Sequence, residues 1–390
     1  MRTQVQFRLL VVRLGAMGDI LHALPAVTAL RKAHPAWKIG WAIEPRWRPL
    51  LTTESTNIGL GGERNPARPV VDQIHLVPAK AWGKKPFSRE TRMGLRSLRT
   101  ELRAAEYDAV LDLQGAIRSA VLGRLSGCKR RIGDAHPWET PARWLYSEQV
   151  VTVGPHVIEQ NIELASAVAG DLLSATVPWL PVDAEAELWC DALDEIRTAS
   201  ETGQPVILIH PGGGWGAKRW PAERYGAVVQ EFSMRGALVL VNAGPGEEAL
   251  AGAVVTAAKG RGTVLACSLE QLMALTQRVS LVIGGDTGPV HLACAAGKLV
   301  VGIYGPTDPR RNGPYGKLVR VLRNPESRRD HTRREQPEAG LLTIQPEAVM
   351  EASVSLLLEE RQNQAGHDPD SGSDSDQGSG SGADWGLERA

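Results

Sequence analysis

The chain has 390 residues, of which 43% are hydrophobic, and this size suffices for two ordinary cores, so two domains are expected. Basic and acidic side chains balance at 44 each, so net charge gives no indication of nucleic-acid binding. No apolar run approaches the ~18 residues that span a bilayer, and the four widely spaced cysteines favour reduced cytosolic thiols over a metal site.

Apolar segments alternate with helical patterns and glycine-rich turns, which predicts α/β domains with parallel sheets. The first strand leads through a Gly-x-x-Gly turn to Asp19 and a helix, in which Pro25 predicts a kink or a later start. Asp19 either caps this helix or faces an acceptor hydroxyl as a general base. The predicted strands of the first half cover residues 9–14, 39–43, 74–77, 109–113 and 131–133.

A basic segment follows the third predicted strand. Residues 80–103 carry eight basic side chains against two acidic ones. Part of this segment is the solvated face of a helix, whereas residues 80–85 precede that helix and suit an anionic acceptor. A further turn from strand to helix, at residues 112–118, places Gln114 and Arg118 near the same edge of the sheet.

The second half begins after a stretch of low periodicity around Pro178 and Pro181, which we interpret as the interdomain linker. Ser268 and Gln271 predict a capping box at a helix start. Residues 366–386 are mainly Ser, Gly and Asp, and they are expected to be disordered because they bury too little apolar surface. The predicted strands of this half cover residues 206–210, 238–241, 281–283 and 299–303.

Glycine-rich turns follow two of these strands. The segment 211–221 frees the backbone to approach a ligand and adds the mobile charge of Lys218, although a surface turn with a solvated lysine would look the same. No Gly-Lys-Ser/Thr closes it, so it is not a Walker loop. After the next strand, Glu247 could accept the hydroxyls of a ribose or stabilise its own helix.

The segment 284–291 is the most informative turn. It joins a buried strand to a helix through Asp286, Thr287 and Gly288, and Gly297 follows the helix end. Exposed N–H groups and the helix dipole favour a phosphate at such a turn. The alternative is that Asp286 and Thr287 only cap the helix.

Five motifs occur in a fixed order, and their residues are Met17-Gly18-Asp19, Asp112-Leu113-Gln114-Gly115, Lys218-Arg219-Trp220-Pro221, Asp286-Thr287-Gly288 and Tyr304-Gly305-Pro306-Thr307-Asp308-Pro309. Together they resemble the ADP-heptose:lipopolysaccharide heptosyltransferases, glycosyltransferase family 9, over residues 7–360. The resemblance implies a GT-B type α/β fold, with two Rossmann-like domains facing across a cleft. It also implies an inverting, metal-independent glycosyltransferase that needs no cofactor.

The resemblance assigns roles by position. Asp19 matches the catalytic base, Lys218 the lysine on the donor diphosphate, and Glu247 the acid on the ribose. The other residues that match the donor site are Gly213, Gly214, Asp286, Thr287 and Gly288. The residues that match the basic group facing a Kdo acceptor are Lys80, Lys84 and Arg118.

Two departures from the family pattern concern these sites. Gly213 and Gly214 stand where the family commonly carries hydroxyl residues before the donor lysine. The family's Arg-Glu-Pro segment reads Glu139-Thr140-Pro141, so one acceptor-side arginine is lost unless Arg143 replaces it. Trp82 with Lys84, and the segments 114–119 and 156–159, are most similar to the members that add the first heptose to Kdo.

The resemblance also implies an organisation and partners. Residues 1–178 would bind the acceptor, residues 179–362 the nucleotide sugar, with a last helix that could pack back on the first domain, and residues 363–390 would form the tail. The expected partners are ADP-heptose, Kdo-lipid A and the anionic cytoplasmic face of the inner membrane. The rivals are another nucleotide sugar, the second heptose acceptor, a nucleotide-sugar epimerase and a nucleotide-binding module without catalysis.

Overall fold

The computed structural model describes residues 6–54, 63–330 and 332–365. The chain divides into two compact units, Met1–Asp183 and Ala184–Ala390. Each unit contains one six-stranded sheet whose strands all pair in parallel. This confirms the predicted α/β class with two Rossmann-like units. Residues 366–386, predicted to be disordered, lie outside the described residues, as does the rest of the predicted tail 363–390 beyond residue 365.

The N-terminal unit has the strand order β3-β2-β1-β4-β5-β6. The order reverses between β1 and β4, which is the switch point where open α/β sheets bind ligands at their carboxyl edge. The strands are β1 (Arg8–Val12), β2 (Lys38–Ile43), β3 (Gln73–Leu76), β4 (Ala109–Asp112), β5 (Arg130–Asp134) and β6 (Glu148–Val150). The helices are α1 (Met17–Ala33), α2 (Ala79–Lys84), α3 (Arg89–Ala104), α4 (Ile117–Leu125) and α5 (Val157–Ala169).

Two helices of this unit differ from the sequence-based expectation. Helix α1 runs through Pro25 and starts at Met17, so the proline does not delay its start. Residues 80–85 precede α3 as expected, but residues 80–84 belong to a separate short helix, α2, that was not predicted. Its Trp82 packs on the core and lies where any side chain at Gly94 of α3 would collide with it, which explains how this short helix is held.

The C-terminal unit repeats the same topology. Its strand order is β12-β11-β10-β7-β8-β9, with the switch point between β7 and β10. The strands are β7 (Val206–His210), β8 (Leu238–Ala243), β9 (Thr263–Ala266), β10 (Leu281–Gly285), β11 (Leu299–Tyr304) and β12 (Val319–Arg323). The helices are α6 (Ala184–Asp191), α7 (Asp194–Thr202), α8 (Ala222–Met234), α9 (Glu248–Ala257), α10 (Leu269–Arg278), α11 (Gly288–Ala295), α12 (Pro309–Asn312) and α13 (Pro346–Ala365).

The ends of two helices in this unit are as predicted. Ser268 and Gln271 form the capping box of α10. Gly297 follows α11 with a φ of +70°, a left-handed conformation that glycine adopts without steric cost.

The last helix, α13, belongs to the core of the C-terminal unit. It contacts α8, β11 and β12, and its buried residues, among them Val349 and Val354, join the cluster around Trp220 and Phe232. The expectation that this helix also packs back on the first domain stays a prediction. The apolar side chains of α13 are buried against strands and a helix of its own unit.

No helix within the described ranges is long and apolar enough to cross a membrane. The four cysteines are free thiols. In the same part of the chain, no group of three or more His, Cys, Asp or Glu side chains could hold a metal ion.

Candidate active site

Asp19 lies in the first turn of α1, at the carboxyl end of β1. It is not the N-cap, which is Ala16, but the third residue of the helix. Its Oδ2 accepts a hydrogen bond from the Ala16 N–H at 2.8 Å, as the acid of a capping box does. Its side chain is 36% exposed, so the carboxylate keeps lone pairs that a ligand can reach.

Arg13 fixes the other oxygen of this carboxylate. Its Nη2 lies 2.7 Å from Asp19 Oδ1, and its Nη1 donates to the Leu113 carbonyl beyond β4. Arg13 is only 8% exposed, and its Nε finds no partner among the described residues. A buried guanidinium bridging β4 and Asp19 therefore orients the carboxylate at the switch point.

The turn after β4 is tied to the turn after β1. Gln114 Oε1 accepts the Leu14 N–H at 2.9 Å. Asp112 organises the turn from inside, because its carboxylate accepts hydrogen bonds from the Gln114 N–H at 2.8 Å and from the hydroxyls of Ser119 and Tyr146 at 2.8 and 2.9 Å. Burial raises the pKa of Asp112, and these hydrogen bonds offset part of the effect.

Glu139 caps the N-terminus of α4 on this edge. Its Oε2 accepts the Ile117 N–H at 2.7 Å, and its own N–H donates to the Gly115 carbonyl. A carboxylate thus occupies the helix end that would otherwise attract an anion. Arg118, in the first turn of α4, is exposed, whereas Arg143 is half-buried on the 3-10 helix Thr140–Leu145.

Lys80 and Lys84 lie on α2, which follows β3 at the same edge of the sheet. Both side chains are exposed, and no ion pair is formed by either of them within the described residues. The Lys80 N–H donates to Glu44 Oε1 at 2.7 Å, which anchors the start of α2 to the end of β2. Both ammonium groups are therefore available to an anionic ligand.

In the C-terminal unit, Lys218 and Asp286 form an ion pair at the switch point between β7 and β10. The alternative that Asp286 only caps α11 is wrong, because Thr287 is the N-cap and the Asp286 carboxylate contacts other side chains. Tyr304 OH donates to Asp286 Oδ1 at 3.5 Å, and His291 Nε2 lies 3.4 Å from the same oxygen. Three elements of this unit thus converge on one acid.

These contacts keep Asp286 ionised. Burial acts to raise its pKa, but the hydrogen bond with His291 and the charge of Lys218 outweigh burial, so the pKa is lowered. Burial and the nearby Asp286 charge raise the pKa of Tyr304 well above its ordinary value, so its hydroxyl stays a donor. A fixed anion therefore holds the lysine that was predicted to meet the diphosphate.

Thr287 and Gly288 form the start of α11. Thr287 is the N-cap, but its side chain does not cap the helix, and its Oγ1 instead donates to the Gly285 carbonyl at 3.3 Å. The first N–H groups of α11 thus receive no hydrogen bond from the Thr287 side chain.

Glu247 follows β8 and is the N-cap of α9. Its Oε1 accepts the Gly213 N–H at 3.3 Å, so it lies beside the glycine-rich turn. A side chain at Gly212 would meet the Glu247 carboxylate and displace it, so the absence of a side chain there leaves room for this acid. Gly214 is exposed with open space around it.

His210, at the end of β7, lies behind Glu247. Burial lowers its pKa to about 4, so the imidazole is neutral at pH 7. The Asn242 amide donates to His210 Nδ1 at 2.9 Å, which leaves the proton on Nε2, 4.0 Å from Glu247 Oε2. A neutral ring thus lies near this acid and adds no charge to the site.

Four residues of the site were not predicted from the sequence: Arg13, His210, His291 and Tyr304. Arg13 offered a signal, since it is a charged residue at the end of an apolar strand. Tyr304 lies in one of the five motifs, but only the fold brings its hydroxyl to Asp286 from the neighbouring strand.

Each of the two Rossmann-like units has an acid and a cation at its switch point, the place where sheets of this kind bind nucleotides and similar ligands. The model of glycosyltransferase family 9 (heptosyltransferase) matches residues 95–342. The chain belongs to this family, which confirms the resemblance found in its motifs.

One curated relative and two solved structures are similar to the chain over most of its length. Lipopolysaccharide heptosyltransferase 1 of Escherichia coli K12 is 25% identical over 355 residues, covering 90% of this chain and 100% of the relative. The structure of E. coli heptosyltransferase WaaC with ADP is 24% identical, covers 90% of this chain and 100% of that one, and has a TM-score of 0.71. A family 9 glycosyl transferase from Veillonella parvula, 22% identical, covers 92% of this chain and 99% of that one with a TM-score of 0.74.

Proposed function

We propose that the protein transfers L-glycero-D-manno-heptose from ADP-heptose to a Kdo residue of the lipopolysaccharide inner core, with inversion at the anomeric carbon. The observation that carries this proposal is the Lys218–Asp286 pair at the switch point of the C-terminal unit. Lipopolysaccharide heptosyltransferase 1 of E. coli K12 is 25% identical to this chain. The structure of E. coli heptosyltransferase WaaC with ADP-2-deoxy-2-fluoro heptose is also 25% identical to it.

The C-terminal unit binds the donor in this proposal. Lys218 contacts the diphosphate. The N–H groups of Gly288 and Val290 at the start of α11 add hydrogen bonds, Pro289 between them having no N–H, and the helix adds the positive end of its dipole. Glu247 accepts the ribose hydroxyls, and the glycines at 213 and 214 let the backbone approach the phosphates.

The N-terminal unit supplies the base. Asp19 takes the proton of an acceptor hydroxyl while that oxygen attacks the anomeric carbon of the heptose. The bond from this carbon to the phosphate oxygen breaks, its electron pair leaves with ADP, and the configuration inverts in this single displacement. Lys218 and the α11 N–H groups stabilise the charge that develops on ADP.

These residues replace a metal ion in the proposed mechanism, and no cofactor takes part. Activity should therefore persist in excess EDTA. Full loss of turnover that magnesium restores would refute this part of the proposal.

The acceptor is the anionic Kdo of a lipid A anchor. Lys80, Lys84 and Arg118 bind its carboxylate, and the basic face of α3 meets anionic lipids at the cytoplasmic face of the inner membrane. In this proposal the protein is cytoplasmic and binds peripherally to the inner membrane.

The direct test is release of ADP when purified protein is incubated with ADP-heptose and Kdo-lipid A. Donor controls replace ADP-heptose by ADP-glucose and by a uridine diphosphate sugar. Activity only on an acceptor that already carries one heptose would reassign the protein to the second transfer, which the Glu139 carboxylate at the α4 end would favour. Absence of release with every donor and acceptor pair would refute the proposed reaction.

A further inference from the structure

Trp215 lies in the glycine-rich turn between β7 and α8, three residues before Lys218. The Lys218 Nζ sits 4.1 Å from the centre of the Trp215 ring, a cation–π contact. The Lys218 N–H also donates to the Trp215 carbonyl at 3.1 Å, which closes the short 3-10 helix Gly216–Lys218. Trp215 thus supports the lysine that pairs with Asp286.

The indole N–H of Trp215 is an orphan donor. It is shielded from solvent and has no hydrogen-bond partner in the described parts of the chain. An indole nitrogen can only donate, and buried tryptophans usually find an acceptor. Trp220 of the same unit shows the usual arrangement, because its Nε1 donates to the Ile344 carbonyl at 3.1 Å.

The neighbouring residues do not supply the missing acceptor. Gly213 and Gly214 have no side chain, and the Asp286 carboxylate is already held by Lys218, His291 and Tyr304. A donor next to an ammonium group suits an anionic oxygen from a ligand.

We propose that Trp215 is a donor-binding residue, which rests on the proposed function. Its indole N–H donates to a phosphate oxygen of the bound nucleoside diphosphate, and its ring holds Lys218 beside that phosphate. A ring and its N–H then take over contacts that Gly213 and Gly214 cannot make, since neither has a side-chain hydroxyl.

Two substitutions separate the N–H from the ring. Trp215→Phe removes the N–H and keeps an aromatic face, so the Kd for ADP should rise about five- to tenfold. Trp215→Leu also removes the cation–π contact and should raise the Kd by a further two- to fivefold or so. Calorimetry with adenosine, which has no phosphate, should show equal affinity for all three proteins.

Trp220→Phe is the matched control, because it also removes one indole hydrogen bond. It should lower the unfolding temperature and leave the ADP affinity of the folded protein unchanged. Trp215→Phe should show the opposite pattern, with no loss of unfolding temperature, because it removes an unpaired buried donor.

The outcomes distinguish the two proposals. If the wild type and Trp215→Phe bind ADP equally well, Trp215 has no role in donor binding, and the proposed function is unaffected. A wild type that does not bind ADP at all overturns the proposed donor and the role of Trp215 with it. Reduced affinity for ADP and adenosine alike would place Trp215 on the nucleoside and refute the phosphate contact.

Discussion

The two units share one strand order, and each places an acid beside a cation at its switch point, yet the two pairs differ in exposure. In the N-terminal unit the cation is buried and the acid is open, with side-chain exposures of 10% for Arg13 and 36% for Asp19. In the C-terminal unit both partners are largely covered, at 12% for Lys218 and 17% for Asp286.

This difference separates the two acids chemically. Asp19 is held by one backbone N–H and one guanidinium and can still meet a ligand hydroxyl. Asp286 is surrounded by Lys218, His291 and Tyr304, and its lowered pKa makes it a permanent anion rather than a proton acceptor. In the proposed mechanism, the same fold therefore supplies a base in one unit and a fixed counter-ion for a phosphate-binding lysine in the other.

The largest effect is expected from Asp19→Asn. This nearly isosteric change removes the proton acceptor, so turnover should fall on the order of a hundredfold or more. ADP binding should be unchanged, because the donor residues lie in the other unit. Turnover with purified protein, together with ADP calorimetry, measures both. Near-wild-type turnover would leave Asp19 with only its capping role.

A control is needed because Asn also weakens the pair with buried Arg13. Asp108→Asn is suitable, since the exposed Asp108 carboxylate accepts the Arg8 N–H at 2.8 Å at the opposite end of the sheet. It should leave turnover intact. Equal unfolding temperatures for Asp19→Asn and the wild type would show that the loss is chemical.

The strands of the two sheets could be predicted from the sequence better than the contacts in the site. The interior strands appear as apolar runs because both faces of a parallel sheet are covered. The edge strands β6, β9 and β12 were not predicted, because they are short and only partly buried. In β12 (Val319–Arg323), arginines interrupt the apolar residues.

The acids of the site and Lys218 were singled out from the sequence, but the other side chains that contact these acids were not. Motifs and turn positions single out Asp19 and Asp286. The contact from Arg13 to Leu113 joins residues 100 positions apart, and it exists only because β1 and β4 pair. No local pattern contains such a contact, so a base could be proposed from the sequence while its orienting residue could not.

Lys218→Ala is expected to have the next largest effect. Loss of a charge-assisted hydrogen bond is worth about 1.5–3 kcal/mol, so the Kd for ADP should rise roughly tenfold to a hundredfold. If Lys218 contacts the distal phosphate, AMP should lose far less affinity than ADP in calorimetry. Equal losses would place Lys218 elsewhere on the nucleotide. Lys298→Ala, which removes a half-buried lysine bonded to the Gln277 carbonyl, is the matched control and should leave ADP binding unchanged.

The buried His210 of the C-terminal unit should make the stability of the protein depend on pH. Its pKa is lowered from the ordinary 6.5 to about 4 by burial, so between these pH values the unfolded chain binds a proton that the folded unit does not. Stability should therefore fall as pH drops through this window, by about 2 kcal/mol between pH 7 and pH 5.

Denaturant unfolding at both pH values measures this loss. His210→Gln, which cannot be protonated, should reduce the loss by about the same 2 kcal/mol. His136→Gln, at an exposed position, is the control and should lose stability as the wild type does. An unchanged pH dependence in His210→Gln would show that the buried ring does not titrate in this way.

The smallest effects are expected on the acceptor side, where the cations are exposed rather than buried. Exposed charges contribute about 1 kcal/mol or less each, so Lys84→Ala and Arg118→Ala should each raise the Michaelis constant for the Kdo acceptor about fivefold. ADP-heptose binding should stay nearly unchanged. Salt screens exposed charges over about 8–10 Å, so added salt should weaken acceptor use more in the wild type than in these variants.

Lys129→Ala provides the control for net charge, because Lys129 is exposed in the turn before β5, at the opposite end of the sheet. If the basic residues act only by general attraction to anionic lipid, Lys129→Ala should raise the acceptor Michaelis constant as much as Lys84→Ala does. If they bind the Kdo carboxylate, only Lys84→Ala and Arg118→Ala should do so, and the effect should persist with a soluble Kdo acceptor that lacks lipid. Impaired donor binding with normal acceptor kinetics would contradict both accounts and assign these residues to a different site.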